Sequence, residues 1–203
     1  MIIFGLDGTL ANCEHRRHFV DRDKAAEKGI CYEEVEYTFG GVQNGPWVLS
    51  NNPDRLWKPD WTSFYEACDK DEPIEPVIEI LDGIYQNNVN FWNQVQIWSG
   101  RCESVREKTL KWLEENVLWD NLGSQITLKM RPIGDSTPDD QLKEKWLDEL
   151  IKNDPNTYDV CGSDLIHRPF PIEMVFDDRP KVVRMWRNRG IFVFNCAQND
   201  EEF

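Results

Sequence analysis

Residues 1–11 of the 203-residue chain read MIIFGLDGTLA, and the reading of Gly5-Leu6-Asp7-Gly8-Thr9 decides the fold. Met1-Ile2-Ile3-Phe4 is a short apolar run of the kind that forms a buried strand. It feeds into a turn that carries one carboxylate, a glycine and a hydroxyl. In open α/β sheets ligands sit beyond the carboxyl ends of the strands, so such a turn has the layout of a phosphate site. Phosphate sites of this form usually carry two carboxylates, two residues apart. Here the first of those positions is Gly5.

Further along the chain, short apolar runs alternate with helical patterns, which predicts an α/β fold with a parallel sheet flanked by helices. Strands are expected over 1–6, 95–98, 126–130, 173–176 and 191–194. Helices are expected over 102–116, 138–152 and 180–189. Val105, Thr109, Trp112 and Leu113 form one stripe at helical spacing, and Leu142, Trp146 and Leu150 form another. Val182, Val183 and Trp186 repeat the pattern behind Pro180, a residue suited to a first helical turn. The stretch 12–73 breaks this rhythm. It is dense in turn signals (Gly40-Gly41, Gly45-Pro46, Asn51-Asn52-Pro53, Lys58-Pro59) and in aromatics from Phe19 through Tyr32, Tyr37, Phe39, Trp47, Trp57 and Trp61 to Phe64 and Tyr65. It reads as a small cap inserted after the first strand, leaving 1–11 and 74–203 as the core domain. Residues 199–203 read as a frayed acidic tail.

Composition narrows the function classes. With 40% hydrophobic and 12% aromatic residues the chain is globular. No apolar run approaches the ~20 residues needed to span a bilayer, and Met1 opens a strand rather than a basic leader, so the expectation is a cytoplasmic protein with no membrane partner. A net charge of −14 argues against an extended nucleic-acid footprint, which needs a basic surface, but leaves room for a local phosphate pocket. The six cysteines (13, 31, 68, 102, 161 and 196) show no metal-binding spacing and read as reduced thiols. There is no glycine-rich GxxxxGK[ST] loop, and hence no kinase half in this sequence.

Four stretches at predicted strand ends carry chemistry. Asp7-Gly8-Thr9 is the first. Ser99-Gly100-Arg101 precedes a helix and offers a hydroxyl, a close-approach glycine and helix amides to a phosphate. Lys143 lies early in the helix after Arg131-Pro132-Ile133-Gly134-Asp135, and Asp177-Asp178-Arg179 supplies paired hard-oxygen donors of the kind that hold Mg²⁺. Each has a bland alternative: Ser99 and Asp178 as helix caps, Lys143 as a solvated lysine, Asp7 as turn chemistry. Four in this order at four strand ends make coincidence improbable.

Taken together, IIFGLDGTLA, IWSGRCESVREKTLKWLEENV, LKMRPIGDSTPDDQLK and MVFDDRPKVVRMWRNRGIFVFN resemble the haloacid dehalogenase (HAD) superfamily. Within it they are most similar to the phosphatase domain of polynucleotide kinase 3′-phosphatases and related phage proteins. The resemblance implies a three-layer Rossmann-like core and a Mg²⁺-dependent phosphomonoesterase working through a phosphoaspartate. Asp7 matches the general acid, whose carbonyl also touches the metal, with Thr9 in the same motif. Ser99 and Gly100 match the phosphoryl-holding motif, with Arg101 and Arg131 as substrate contacts. Lys143 matches the lysine that neutralises phosphoryl charge, with Lys145 a weaker claimant. Asp177 and Asp178 match the Mg²⁺-binding pair. Arg16 and Arg17, in His15-Arg16-Arg17-His18, are candidate contacts to substrate phosphate or base, or solvent-facing charges at a helix end. The segment 157–171 is additional to the family pattern and reads as a surface loop.

Gly5 stands where the nucleophilic aspartate belongs. Residues 5 and 7 share one side of an extended strand, but moving Asp7 back would surrender the acid. The expected function is therefore a phosphatase acting on a phosphorylated nucleotide or a nucleic-acid 3′-phosphate end, crippled at its nucleophile. The alternative is a non-catalytic nucleotide-binding protein on the same fold. Oligomeric state is left open.

Overall fold

The structure is a computed structural model that describes residues 1–29, 58–87, 95–117, 126–153 and 172–197. Expectations for Tyr32, Tyr37, Phe39, Trp47 and Trp57, for the segments 157–171 and 199–203, and for Cys31 and Cys161 lie outside the described residues. The four described cysteines are free. Among the described residues no helix is long and apolar enough to cross a membrane.

The apolar opening run forms β1 (Ile2–Gly5), and every residue of it is buried. It is the central strand of a five-stranded sheet with β4 (Val95–Cys102), β5 (Ile126–Arg131), β6 (Met174–Asp177) and β7 (Val193–Asn195). The order is β5-β4-β1-β6-β7 and every pairing is parallel. Ile2 pairs with Val95 on one side and Met174 on the other, so Gly5 and Asp177 end at neighbouring strand tips. Side-chain alternation along β1 serves two cores. Ile2 and Phe4 pack with Val77, Leu81, Trp112 and Leu113 on one face, while Ile3 packs with Trp98, Trp146, Val182 and Trp186 on the other. A sheet buried on both faces explains why its strands read as continuous apolar runs.

Helices α4 (Arg106–Asn116), α5 (Asp139–Asn153) and α6 (Pro180–Asn188) follow the expected stripes. Thr109, Trp112 and Leu113 are the buried residues of α4, and Leu142, Lys143, Trp146 and Leu147 those of α5. A 13-residue helix, α3 (Glu75–Asn87), covers a stretch with no element expected. Its Val77, Ile78 and Leu81 carry helical spacing, but Pro76 and Gly83 flank them and read as breakers. Pro76 is harmless because it falls in the first turn.

The excursion after β1 starts and ends at one place. Its edges, β2 (Ala11–Asn12) and β3 (Glu72–Pro73), pair antiparallel, Ala11 with Pro73 and Asn12 with Glu72. Between them come a 3-10 turn over Glu14–Phe19, α1 (Arg22–Glu27) and α2 (Trp61–Glu66). Asp60 caps α2, accepting from the Ser63 amide at 3.0 Å, and its own N–H donates to the Phe19 carbonyl at 2.8 Å.

Candidate active site

The turn after β1 is tied to a single carbonyl. The Leu6 oxygen accepts N–H groups from Thr9, Leu10 and Ala11 at 3.2, 2.8 and 2.9 Å. Gly8 has φ +78°, and a Cβ there would lie 1.9 Å from Asp178 Oδ2, so only glycine fits. Thr9, fully buried, donates its hydroxyl to Asp178 Oδ1 at 3.0 Å. A Cβ built on Gly5 would meet Thr9 Oγ1 at 2.8 Å and Asp177 Cγ at 3.5 Å. Position 5 thus faces the acidic cluster, and the Thr9 hydroxyl crowds the space its side chain would need.

Asp177 is buried, and its Oδ2 accepts from Lys143 Nζ at 2.6 Å. Lys145, on the same helix, is exposed, so Lys143 is the lysine in the site. Burial and the neighbouring Asp177 charge push the Asp178 carboxyl up to about 7. Ser99 is buried with its Oγ accepting the Arg101 amide at 3.1 Å, which leaves its hydroxyl proton free to donate to a ligand. A Cβ on Gly100 would come within 2.7 Å of Asp139 Oδ1, a close approach that requires glycine.

Behind Asp7 stands a network no local sequence pattern announced. Arg16 Nη2 donates to Asp7 Oδ1 at 2.7 Å, and Arg101 reaches the same oxygen through Nε at 2.8 Å and Nη2 at 2.6 Å. Both guanidiniums also hold Asp71. Arg16 donates to it at 2.7 and 2.6 Å and Arg101 at 2.6 Å, while His15 Nε2 lies 2.9 Å away. Arg16 and Arg101 are fully buried, and the Arg16 guanidinium lies over the Phe64 ring at 4.1 Å. Burial opposes charge on Asp7, yet Arg101 and Arg16 overcome it and hold its carboxyl well below the usual carboxylate range. Asp71 is pushed the other way by its own burial and by the Asp7 charge, against the pull of Arg16, so Asp7 is the member that stays ionised to lower pH. The residue matched to the general acid is therefore an ion at neutral pH.

A second network lies across the site. Arg131 donates to the Gly100 carbonyl at 2.9 Å and to the carboxylate of Asp139, which also meets Arg179 Nη1 at 2.7 Å. Asp7, Gly100, Arg131, Asp139, Lys143, Asp177, Asp178 and Arg179 line one cavity of about 620 Å³, and Trp61, Phe64 and Tyr65 are also part of its wall. Arg17 is turned to Glu14 at 3.3 Å and Asp21 at 3.1 Å and is not part of that wall. Asp71, Asp139 and Arg179 were not singled out as site residues from sequence. Asp139 had a signal, since it precedes Lys143 by one helical turn on α5 and so shares its face. Arg179 directly follows the acidic pair. Asp71-x-Pro73 resembles the cap-to-core passage of phage members, but nothing local pairs Asp71 with its partners, which lie 55 and 30 residues away in the chain.

The donor chemistry suits a hard divalent cation, since Asp177 and Asp178 are carboxylates beside each other and the Asp178 proton is held only by the unfavourable burial of a second charge. The count is short. Gly5 contributes no oxygen, Asp177 is already bound to Lys143, and among the described residues no group of three metal-binding side chains forms.

A five-stranded parallel sheet flanked by helices, with its carboxylates, lysine and serine gathered at the strand tips, defines the Rossmann-like core of HAD phosphatases. Residues 61–201 match the family model of the polynucleotide kinase PNKP phosphatase domain, and the chain belongs to that family. Its fold is similar to a chain of the solved "Structure of Pnkp1/Rnl/Hen1 complex", with a TM-score of 0.54 at 20% identity. The similarity covers 98% of this chain and 46% of that one, so this chain spans about half its length.

Proposed function

We propose that this chain is a phosphatase-family scaffold that binds a phosphorylated nucleotide, or the 3′-phosphate end of a nucleic acid, and turns it over very poorly. The observation that carries the reading is the position of Gly5. Its missing side chain would point at Thr9 and Asp177, where a nucleophile would be needed, and glycine offers none. Binding requires positive potential and hydrogen-bond donors rather than a nucleophile. Lys143 meets a phosphoryl oxygen with its charge, and the Ser99 hydroxyl, whose proton is free, meets another. Asp177 and Asp178 would hold Mg²⁺, with Gly5 leaving water to fill the remaining positions; the ion would neutralise phosphoryl charge. Asp7, ionised between two arginines, is suited to accept a proton from water. With no phosphoaspartate to hydrolyse, that capacity is idle.

The family membership supports a 3′-phosphate substrate, and the −14 charge favours a short end or a mononucleotide over a long strand. The test is phosphate release from a 3′-phosphorylated oligonucleotide and from nucleoside monophosphates in Mg²⁺, for this chain and for Gly5→Asp. Release should rise by on the order of 10⁴-fold or more on restoring the carboxylate, the scale on which losing a nucleophile acts in other hydrolases. Thr9 must rotate for the new Cβ to fit, so Gly5→Asp/Thr9→Ser is the companion variant. If both variants are inert on every substrate, the reading is wrong.

A further inference from the structure

Resting on that substrate reading, we propose that Trp61 is the stacking platform for the nucleobase of the nucleotide that bears the phosphate, and so a specificity-determining residue. Of the described tryptophans, Trp98, Trp112, Trp146 and Trp186 are at most 4% exposed, whereas Trp61 is 43% exposed. Among the described residues Ile80, Ile133, Phe192 and Phe194 are also exposed, but of these large apolar side chains Trp61 alone lines the cavity. Trp61 lines the cavity that also contains Lys143 and the strand-tip carboxylates. The cavity therefore offers both a cation for an anion and an open aromatic ring, which suits a ligand with one phosphate and one flat ring.

The platform is packed against its neighbours before any ligand arrives. Trp61 meets the Phe64 ring edge-to-face at 5.6 Å and the Tyr65 ring at 5.9 Å. Phe64 is buried beneath the Arg16 guanidinium that grips Asp7. Helix α2 is fixed at its start by Asp60 and at its end by Lys108, which donates to the Glu66 carbonyl at 2.8 Å and its carboxylate at 2.6 Å. An aromatic ring held in this way loses little freedom on binding. One phosphate beside Lys143 and one flat ring on Trp61 make the ligand class a nucleoside monophosphate unit.

The test is calorimetric titration of the chain, Trp61→Ala and Trp61→Phe with thymidine 3′-monophosphate and with inorganic phosphate, in Mg²⁺. Gly5 keeps the ligand intact during the measurement. Trp61→Ala should weaken nucleotide binding about 5- to 150-fold, the usual worth of one base stacked on an aromatic ring, and leave inorganic phosphate unchanged. Trp61→Phe should recover most of the loss, and unchanged thermal melts confirm folding. Equal nucleotide affinity in Trp61→Ala, or a parallel loss for inorganic phosphate, overturns this inference alone. No binding of either ligand to the parent chain overturns the substrate reading with it.

Discussion

Asp71→Ala removes the buried carboxylate that two guanidiniums share, and its cost can be worked from the contacts. Asp71 receives three N–H bonds of 2.6–2.7 Å from Arg16 and Arg101, and its side chain is fully buried along with theirs. With Asp71 and Asp7 both ionised the cluster is neutral; without Asp71 it carries one uncompensated positive charge away from water. Breaking a buried pair in this way costs about 3–5 kcal/mol. A chain of this size loses roughly 2–4 °C of melting temperature per kcal/mol, so the midpoint should fall by about 6–20 °C. Thermal and urea unfolding at neutral pH read the effect. Glu103→Ala is the matched control, because its 2.6 Å pair with Arg106 is partly exposed and should be worth about 0–1 kcal/mol. If Asp71→Ala costs no more than Glu103→Ala, the two arginines are not electrostatically dependent on Asp71, and the account of Asp7 as an arginine-locked ion fails with it.

Asp178 gives a prediction about pH. Its folded-state value of about 7 lies above the ordinary Asp value, so the folded chain binds the extra proton between about pH 4 and pH 7. Stability from this group is full below that window and falls as pH rises through it, by roughly 4 kcal/mol. Asp178→Asn should therefore stabilise the chain more at pH 8 than at pH 5 in paired melts, and equal effects would refute the assignment. Mg²⁺ should raise the melting temperature of the parent chain more at pH 8 than at pH 6, because binding must displace that proton. Gly8→Ala should cost about 1–2 kcal/mol from backbone conformation alone, and more from the contact with Asp178 Oδ2; a neutral result in urea unfolding would show that the turn is not held as described.

The sheet was legible because each strand is apolar enough to be buried on both faces, and the strand-tip residues because loops carrying chemistry follow directly from those runs. Lys143 could be singled out by its place on a helix, but its contact with Asp177 was beyond any local pattern. The same holds for the Asp7–Arg16–Arg101–Asp71 cluster, whose members come from the first turn, the 3-10 turn, β4 and the stretch before β3. Arg16 and Arg17 are neighbours with the same side chain. Nothing in the sequence says that one is fully buried against Asp7 and Asp71 while the other pairs with Glu14 and Asp21. The aromatics divide likewise: Phe64 and Trp61 both line the cavity, but Phe64 is buried and Trp61 is left open.

The central place of β1 bears on how the protein is made. Its hydrogen-bonding partners are residues 95–98 and 174–176, both synthesised long after it. During translation Ile2, Ile3 and Phe4 therefore emerge as a bare, sticky strand with neither neighbour in existence, and the pairing that hides them closes two very long loops. Until β6 arrives, that strand is exposed to intermolecular pairing. The site cannot assemble before that pairing either, since Asp177 and Asp178 reach the Gly5–Thr9 turn only once β6 lies beside β1.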